Sequence, residues 1–206
     1  MEYYPEPKSA NNQVNKRVTD LTKDEIAELF PVLLFPPNEE WKEIYARERD
    51  LILSQLGDKI IRIEHFGSTS IPNITAKDTI DILIEIDEQD NFSDEIINKL
   101  RAIEYDYIRQ NEDGIEHMIF VKGYGPTGEK GQTFHIHMGP KNHRIWDRIF
   151  FRDYLTEKQD IADQYEALKI ELSDKFKYDR VGYRIAKTEF VQRVTEQAKQ
   201  HYQTST

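Results

Sequence analysis

Hydrophobic residues at every second position predict two neighbouring β-strands in the first half of the chain. In residues 78–86 (DTIDILIEI), isoleucine recurs at each alternate position from Ile80 to Ile86. Because successive side chains of a strand point to opposite faces, these isoleucines predict a buried face, with Asp81 on the other one. Residues 60–66 (IIRIEHF) alternate in the same way and predict a second strand.

Two further strands are predicted later in the chain, over residues 114–123 (GIEHMIFVKG) and 132–138 (QTFHIHM). The stretch between them, YGPTGEKG, is rich in glycine and charge and is typical of a connecting loop. The two strands follow one another directly, so they are expected to form an antiparallel hairpin.

Hydrophobic residues at a spacing of three and four predict helices before the sheet. Residues 38–56 predict a long amphipathic helix, with Asn38 as N-cap and Gly57 just past its end. The sequence TKDE at 22–25 has the form of a capping box and predicts a short helix that ends near Pro31.

Further helices are predicted after the first two strands and throughout the last third of the chain. Ser93 is the expected N-cap of a helix in NFSDEIINKLRAI. The last third predicts helices over about 142–155, 156–175 and 179–202, the second opening on another sequence of capping-box form, TEKQ, at Thr156.

This order of elements predicts an α+β fold, a small mixed β-sheet with flanking helices and a helical C-terminal third. We expect residues 1–20 to be a flexible N-terminal tail because they are polar and carry scattered proline and asparagine. Residues 21–35 are expected to form a short helical extension, and residues 36–206 a single domain.

The composition narrows the classes of function. The net charge of −10 argues against nucleic acid as a partner, because such binding depends on clustered lysine and arginine. The chain has no cysteine, which excludes disulfides, thiol nucleophiles and cysteine-bound zinc. It shows no apolar secretory segment and no stretch long enough to span a membrane, so a cytoplasmic protein without a membrane partner is expected.

Gly67, Ser68 and Thr69 form a small polar turn just before the isoleucine strand. Glycine lets a backbone approach a ligand closely, and the hydroxyls and successive amides of such a turn can bind a phosphate. The turn is not a P-loop, because no G-x-x-x-x-G-K-[ST] is present. An ordinary turn between two strands is the alternative interpretation.

Asp81 and a pair of histidines are the candidate metal ligands. His135 and His137 stand two positions apart on a predicted strand, which places both imidazoles on one face. A carboxylate such as Asp81 could complete a metal site with them, although two histidines on a partly wet sheet face are the alternative. Four of the six histidines lie on predicted strands, which favours a functional cleft.

Several basic residues are candidates for neutralising a phosphate. Lys77 lies between the polar turn and Asp81, and Lys122 ends a predicted hairpin strand. Arg148 and Arg152 stand four positions apart on one face of a predicted helix. Salt bridges to nearby carboxylates are the alternative role of these arginines.

Taken together, several motifs resemble the GrpB family of bacterial proteins, which is assigned to the nucleotidyltransferase superfamily. The resemblance covers about residues 36–195. It rests on four stretches in the same order as in the family: HFGSTSIPNITAKDTIDILIEI (65–86), FHIHM (134–138), FFRDYL (150–155) and RIAKTEFV (184–191).

The resemblance implies a sheet of nucleotidyltransferase type and a role for each matching residue. Gly67 and Ser68 match the pair that holds the triphosphate of a nucleotide, and Asp81 matches the first of two carboxylates that hold magnesium. The second carboxylate position is Leu83, and no third carboxylate is evident on the FHIHM strand. Either Asp81 and the histidines form an unusual metal site, or only a nucleotide or phosphate pocket remains.

Two functions are therefore open at this point. The first is a metal-dependent nucleotidyl or phosphoryl transferase with Asp81 as the catalytic residue and Mg²⁺ or another divalent ion as cofactor. The second is a non-catalytic module that binds a nucleotide or a phosphorylated metabolite. In both, Gly67, Ser68, Thr69, Lys77 and Arg152 are the predicted phosphate-binding residues. Domains of this family also occur fused to dephospho-CoA kinase, which associates them with coenzyme A.

Overall fold

A five-stranded mixed sheet is the centre of the protein, in a computed structural model that describes residues 17–109 and 117–203. The spatial order of the strands is β1-β2-β5-β4-β3. Their bounds are Arg62–Phe66 for β1, Thr79–Glu85 for β2, Asp106–Arg109 for β3, Met118–Tyr124 for β4 and Lys130–Gly139 for β5.

Strands β2 and β5 pair in parallel, and every other neighbouring pair is antiparallel. Strands β2 and β5 are 45 or more residues apart in the chain, yet they pair in register, with Asp81 opposite His135 and Leu83 opposite His137. The predicted hairpin of β4 and β5 is confirmed, with an irregularity between Lys122 and Tyr124. The first residues of the predicted strand 114–123 lie outside the described residues.

One face of the sheet buries the isoleucines of β2, as the alternation predicts. Ile80, Ile82, Ile84 and Ile86 are at most 1% exposed. Two helices cover this face, α2 (Glu40–Leu56) and α3 (Asp94–Arg101). Ser93 is the N-cap of α3 as predicted, although its side chain makes no capping bond. The N-cap of α2 is Glu39, one residue after the predicted Asn38, whose side chain accepts from the amide of Glu40 at 3.0 Å.

The opposite face of β2 is also covered, and this matters for the site. Leu83 is fully buried and packs with Phe66, Ile145 and Ile149. Ile149 belongs to helix α4 (Asp147–Glu157), Ile145 to the 3₁₀ turn before it, and Phe66 is the last residue of β1. Asp81 therefore lies at the edge of a packed layer rather than on an open sheet face, with its side chain 26% exposed.

The helical last third differs from its prediction in two boundaries. Thr156 does not cap a helix: it lies inside α4, where its hydroxyl donates to the Arg152 carbonyl, and α5 (Gln159–Lys175) begins later. The predicted helix 179–202 is divided into α6 (Arg180–Ala186) and α7 (Thr188–Gln203). Asp179 begins α6 by accepting a hydrogen bond from the amide of Gly182 at 2.8 Å.

Helix α5 holds the loop that precedes β2. Lys169 is fully buried and donates from Nζ to the carbonyl of Thr75, while Glu166 accepts from the amide of the same residue at 2.5 Å. These two bonds hold the carbonyl and the amide of Thr75, which lies two residues before Lys77. The loop that carries Lys77 is thereby tied to the helical third of the protein.

Residues 18–30, here called the extension, pack on the edge of the sheet. Helix α1 (Lys23–Leu29) begins with the predicted capping box, in which Thr22 and Glu25 each bond the backbone of the other. Val18–Asp20 form a short 3₁₀ turn, and residues 1–16 of the predicted tail lie outside the described residues. Within the described residues, no helix is long and apolar enough to cross a membrane.

Candidate functional site around Asp81

Gly67 lies directly against the carboxylate of Asp81. Strand β1 ends at Phe66, and the chain turns at Gly67 with φ +75° and ψ −175°, a conformation open almost only to glycine. A β-carbon added at Gly67 would lie 2.3 Å from Oδ2 of Asp81. Any side chain here would collide with the carboxylate, so glycine is required on both grounds. Ser68–Ser70 continue as a 3₁₀ turn.

The carboxylate of Asp81 also faces His135, its partner on the neighbouring strand. Oδ1 of Asp81 is 3.5 Å from Nδ1 of His135, and Nε2 of His135 is 2.8 Å from the hydroxyl of Tyr124. Burial lowers the pKa of His135, so the imidazole is neutral near pH 7. An ionised carboxylate only accepts, so we assign the proton to Nδ1, and Nε2 then accepts from Tyr124.

Cationic side chains surround this carboxylate. Burial alone would raise the pKa of the Asp81 carboxyl, but His135, Lys77 and Arg148 outweigh it and hold the pKa below its ordinary value. Arg148 comes from α4 and lies with its guanidinium 5.4 Å from the ring centre of Phe66. Asp81 is therefore ionised at neutral pH and sits among positive charges.

Two lysines near Tyr183 contribute to this positive charge. Burial, together with the charges of Arg180 and Lys187, lowers the pKa of Lys77 to about 7. Burial lowers the pKa of Lys187 to about 8. The Nζ atoms of Lys77 and Lys187 lie 5.9 and 4.0 Å from the centre of the Tyr183 ring.

These lysines lack carboxylate partners in the part of the chain that the structure describes. Neither Lys77 nor Lys187 forms an ion pair there, although the whole chain carries a net charge of −10. Burial of the two amines outweighs the attraction of the Asp81 charge, which is why their pKa values fall. An anionic ligand would add negative charge beside them.

The hydroxyls of the polar turn have different roles. The Thr69 side chain is buried, donating to the Thr79 carbonyl at 3.1 Å and lying 3.0 Å from Nε2 of His65. The Ser70 hydroxyl donates to the carbonyl of Gly67 at 2.6 Å. Both hydroxyls are used within the protein, and the Ser68 side chain interacts with Tyr165. All three hydroxyls of the turn therefore have partners within the protein.

Arg152 stands apart from the cations around Asp81. Its Nη1 donates to Glu64 at 2.9 Å and to the carbonyl of His65 at 2.7 Å, and its Nε donates to Asp153 at 2.7 Å. These bonds tie α4 to β1. Arg152 therefore has the role in salt bridges that was the alternative for the two arginines. Arg148, in contrast, faces the site.

His137 shares a sheet face with His135 but turns towards other partners. Its Nδ1 is 3.0 Å from Nε2 of His117 and 3.4 Å from Nη1 of Arg148. A guanidinium can only donate, so Nδ1 of His137 is an acceptor and His117 donates from Nε2. The other ring nitrogen of His117 is buried and has no hydrogen-bond partner among the residues that the structure describes.

The geometry does not bring the three predicted metal ligands together. His135 is engaged through both ring nitrogens, and His137 faces His117. Among residues 17–109 and 117–203, no three histidine or acidic side chains are arranged to hold a metal ion. The donors around Asp81 are amines and a guanidinium, which repel cations, so the residues present do not fit a preformed metal centre.

Sequence reasoning missed Tyr124, Tyr183 and Lys187 as neighbours of the site. Lys187 lies within the RIAKTEFV motif, which was a signal that this segment contributes to function. Tyr124 and Tyr183 carried no such signal, because nothing local relates a tyrosine to a carboxylate elsewhere in the chain.

Comparison with known proteins decides the family. The model of the family described as GrpB protein matches residues 31–197. The chain belongs to the GrpB family. This agrees with the resemblance of the sequence motifs and with the fold.

Individual GrpB relatives are similar over most of this chain. UPF0157 protein PA4798 of Pseudomonas aeruginosa is 32% identical over 80% of the chain, and UPF0157 protein YqkA of Bacillus subtilis is 33% identical over 79%. The chain spans only 66% and 46% of the lengths of these two relatives. The crystal structure of conserved protein GrpB from Enterococcus faecalis superimposes with a TM-score of 0.72 at 26% identity, covering 82% of this chain and 99% of that one.

A more distant relative has an enzyme name. A protein named dephospho-CoA kinase, from Mycolicibacterium paratuberculosis, is 30% identical over 68% of this chain, and the match covers 39% of that protein.

Proposed function

We propose that this GrpB protein binds the phosphate groups of a nucleotide or another phosphorylated small molecule beside Asp81. The observation that carries the proposal is the cluster of Lys77, Lys187 and Arg148 around one carboxylate, in which neither lysine forms an ion pair among the described residues. Three cationic side chains against one carboxylate leave net positive charge in a protein that is acidic overall.

The turn after β1 supports the same ligand. Gly67 brings the backbone against the site without a side chain, and the amides of Ser68 and Thr69 follow it, whereas the Ser70 amide donates to the Gly67 carbonyl. Small residues in a tight turn allow a phosphate to approach main-chain N–H groups, and nearby lysines neutralise its charge. In this proposal, amines and a guanidinium perform the charge neutralisation that magnesium performs in metal-dependent enzymes.

The experiment is calorimetric titration of the full chain with ATP, GTP, CTP, UTP and dephospho-CoA, each in EDTA. Dephospho-CoA is included because a relative is named for a kinase of that molecule. At least one ligand is expected to bind in EDTA and to lose affinity by about tenfold or more in Lys77→Met, since a hydrogen bond to a charged group contributes roughly 1.5–3 kcal/mol.

A matched control separates this effect from a general loss of positive charge. Lys99→Met also removes one lysine, but from an exposed i,i+4 pair with Glu95 on α3, and it is expected to leave affinity unchanged. If no phosphorylated ligand binds, or if both variants lose affinity equally, the proposal is wrong.

A second candidate is transfer of a nucleotidyl group from a nucleoside triphosphate to an acceptor hydroxyl, with release of pyrophosphate. The contact between Gly67 and Asp81 favours it, because the family resemblance pairs these positions in nucleotidyltransferases. Incubation with α-labelled nucleotides and Mg²⁺ or Mn²⁺ tests it. Label on an acceptor, lost in Asp81→Asn, would support transfer, and no label with any of the four nucleotides would reject it.

A further inference from the structure

A cavity that is separate from the candidate phosphate site lies behind His135, between the N-terminal extension and the edge of the sheet. Its volume is about 490 Å³, which is within the range of small-molecule sites. One wall comes from the extension, through Val18, Leu21, Ile26 and Phe30, and Val121 of β4 forms part of the other. The walls are therefore largely apolar.

Five polar side chains also line this cavity: Thr19, Tyr107, Tyr124, His135 and Arg180. None of the lining residues is acidic. The Nη1 of Arg180 donates to the Phe30 carbonyl at 2.9 Å, which holds the guanidinium at the wall. A guanidinium carries five N–H donors and accepts none, so it is suited to an anionic group.

Carboxylates near the cavity are engaged elsewhere. Asp106 forms an ion pair with Arg17 at 3.0 Å, and Asp20 accepts from the Arg17 amide at 2.8 Å. Among the described residues, Arg180 forms no ion pair with a carboxylate. An apolar cavity with one uncompensated arginine is complementary to an amphipathic anion.

We infer that this cavity binds a small organic anion that has an apolar body and one carboxylate, phosphate or sulfonate group. The body lies against the extension and Val121, and the anionic group lies on Arg180. His135 lines the cavity, and its Nδ1 faces Asp81. This residue therefore lies between the cavity and the candidate phosphate site.

One wall of the cavity lies outside the segment that the family model matches. That match begins at residue 31, and the wall formed by residues 18–30 precedes it. The inference goes beyond the proposed function, because it requires neither a phosphate at Lys77 nor any transfer reaction.

Titration of the full chain with 1-anilinonaphthalene-8-sulfonate tests this inference, since the probe combines an aromatic body with one sulfonate. We expect saturable 1:1 fluorescence enhancement, displaced by octanoate and by octyl phosphate at least about tenfold better than by octanol. Octanol has the same apolar chain without the charge, and one ionic hydrogen bond is worth about tenfold or more in affinity.

Variants locate the probe. Arg180→Gln should weaken binding by about tenfold or more, while Arg47→Gln, which removes an arginine that is 70% exposed on α2, should leave it unchanged. Val121→Trp fills the cavity without changing charge and should abolish saturable binding.

The result that would overturn the inference is unsaturable fluorescence, or binding that Arg180→Gln and Arg47→Gln affect equally. If Val121→Trp fails to fold, as thermal unfolding would reveal, displacement by octanoate against octanol together with Arg180→Gln decides the question. Equal displacement by octanoate and octanol also contradicts an anion site.

Discussion

Gly67 and Asp81 are in contact across two antiparallel strands, and the fit leaves no room for a β-carbon between them. Oδ2 of Asp81 would lie 2.3 Å from such an atom. The turn that would receive a phosphate and the carboxylate of the site are therefore one structural unit. A change at Gly67 must displace either the turn or the carboxylate.

Gly67→Ala should destabilise the protein and damage ligand binding together. The positive φ of Gly67 alone costs a non-glycine residue on the order of 1–3 kcal/mol, and the collision with Asp81 adds to this. Urea unfolding measures the loss. Gly131→Ala is the matched control, since nothing lies within 4 Å of a β-carbon there, and equal effects of the two variants would refute this account.

Thr69→Val should reduce stability without changing the affinity for a phosphorylated ligand. The variant keeps the shape but leaves the Thr79 carbonyl and His65 without their shared hydroxyl partner, at a cost of about 1–3 kcal/mol. Chemical denaturation beside Thr156→Val, an exposed helical position, checks this. A large loss of affinity in Thr69→Val would instead place this hydroxyl on the ligand.

Lys77→Met should be more stable than the parent protein near pH 7. Burial lowers the pKa of Lys77 to about 7 in the folded state, whereas its ordinary value is about 10.4 in the unfolded chain. Between these values the unfolded state binds the extra proton, so the stability contributed by this site rises with pH. The penalty is fully present below about pH 7 and fades towards the unfolded value.

Unfolding of both proteins at several pH values from 6.5 to 9.5 measures this linkage. The advantage of Lys77→Met should be largest at the acid end and should shrink steadily as pH rises. Parallel stability curves for the two proteins would contradict a depressed pKa at Lys77. The combination of greater stability and weaker ligand binding is typical of a residue retained for function.

The sequence predicted those features that depend on neighbouring positions. Alternation over 78–86 identified β2 and its buried face, and the capping box at 22–25 identified the start of α1. Strand β3 was not predicted, because its four residues are too few to show a period. Thr156 resembled an N-cap, but α4 continues through it, so tertiary packing overrode the local signal.

The candidate site was only partly predictable for the same reason. Gly67, Ser68 and Asp81 lie within one motif and were found together. The parallel pairing of β2 with β5, which sets Asp81 opposite His135, depends on segments far apart in the chain. No local pattern relates Lys187 to Lys77 or distinguishes Arg148 from Arg152, since both arginines share one helix face.

The most direct test of the central claim is calorimetric titration of pyrophosphate, in EDTA, into Arg148→Met and Arg152→Met. Both variants remove one guanidinium from α4, but only Arg148 acts on the charge of Asp81, whereas Arg152 is bonded to Glu64. We predict that the parent protein binds pyrophosphate, that Arg148→Met weakens binding about tenfold or more, and that Arg152→Met leaves the affinity within about twofold. No binding without a metal ion, or an equal loss in both variants, would contradict a cationic phosphate site beside Asp81.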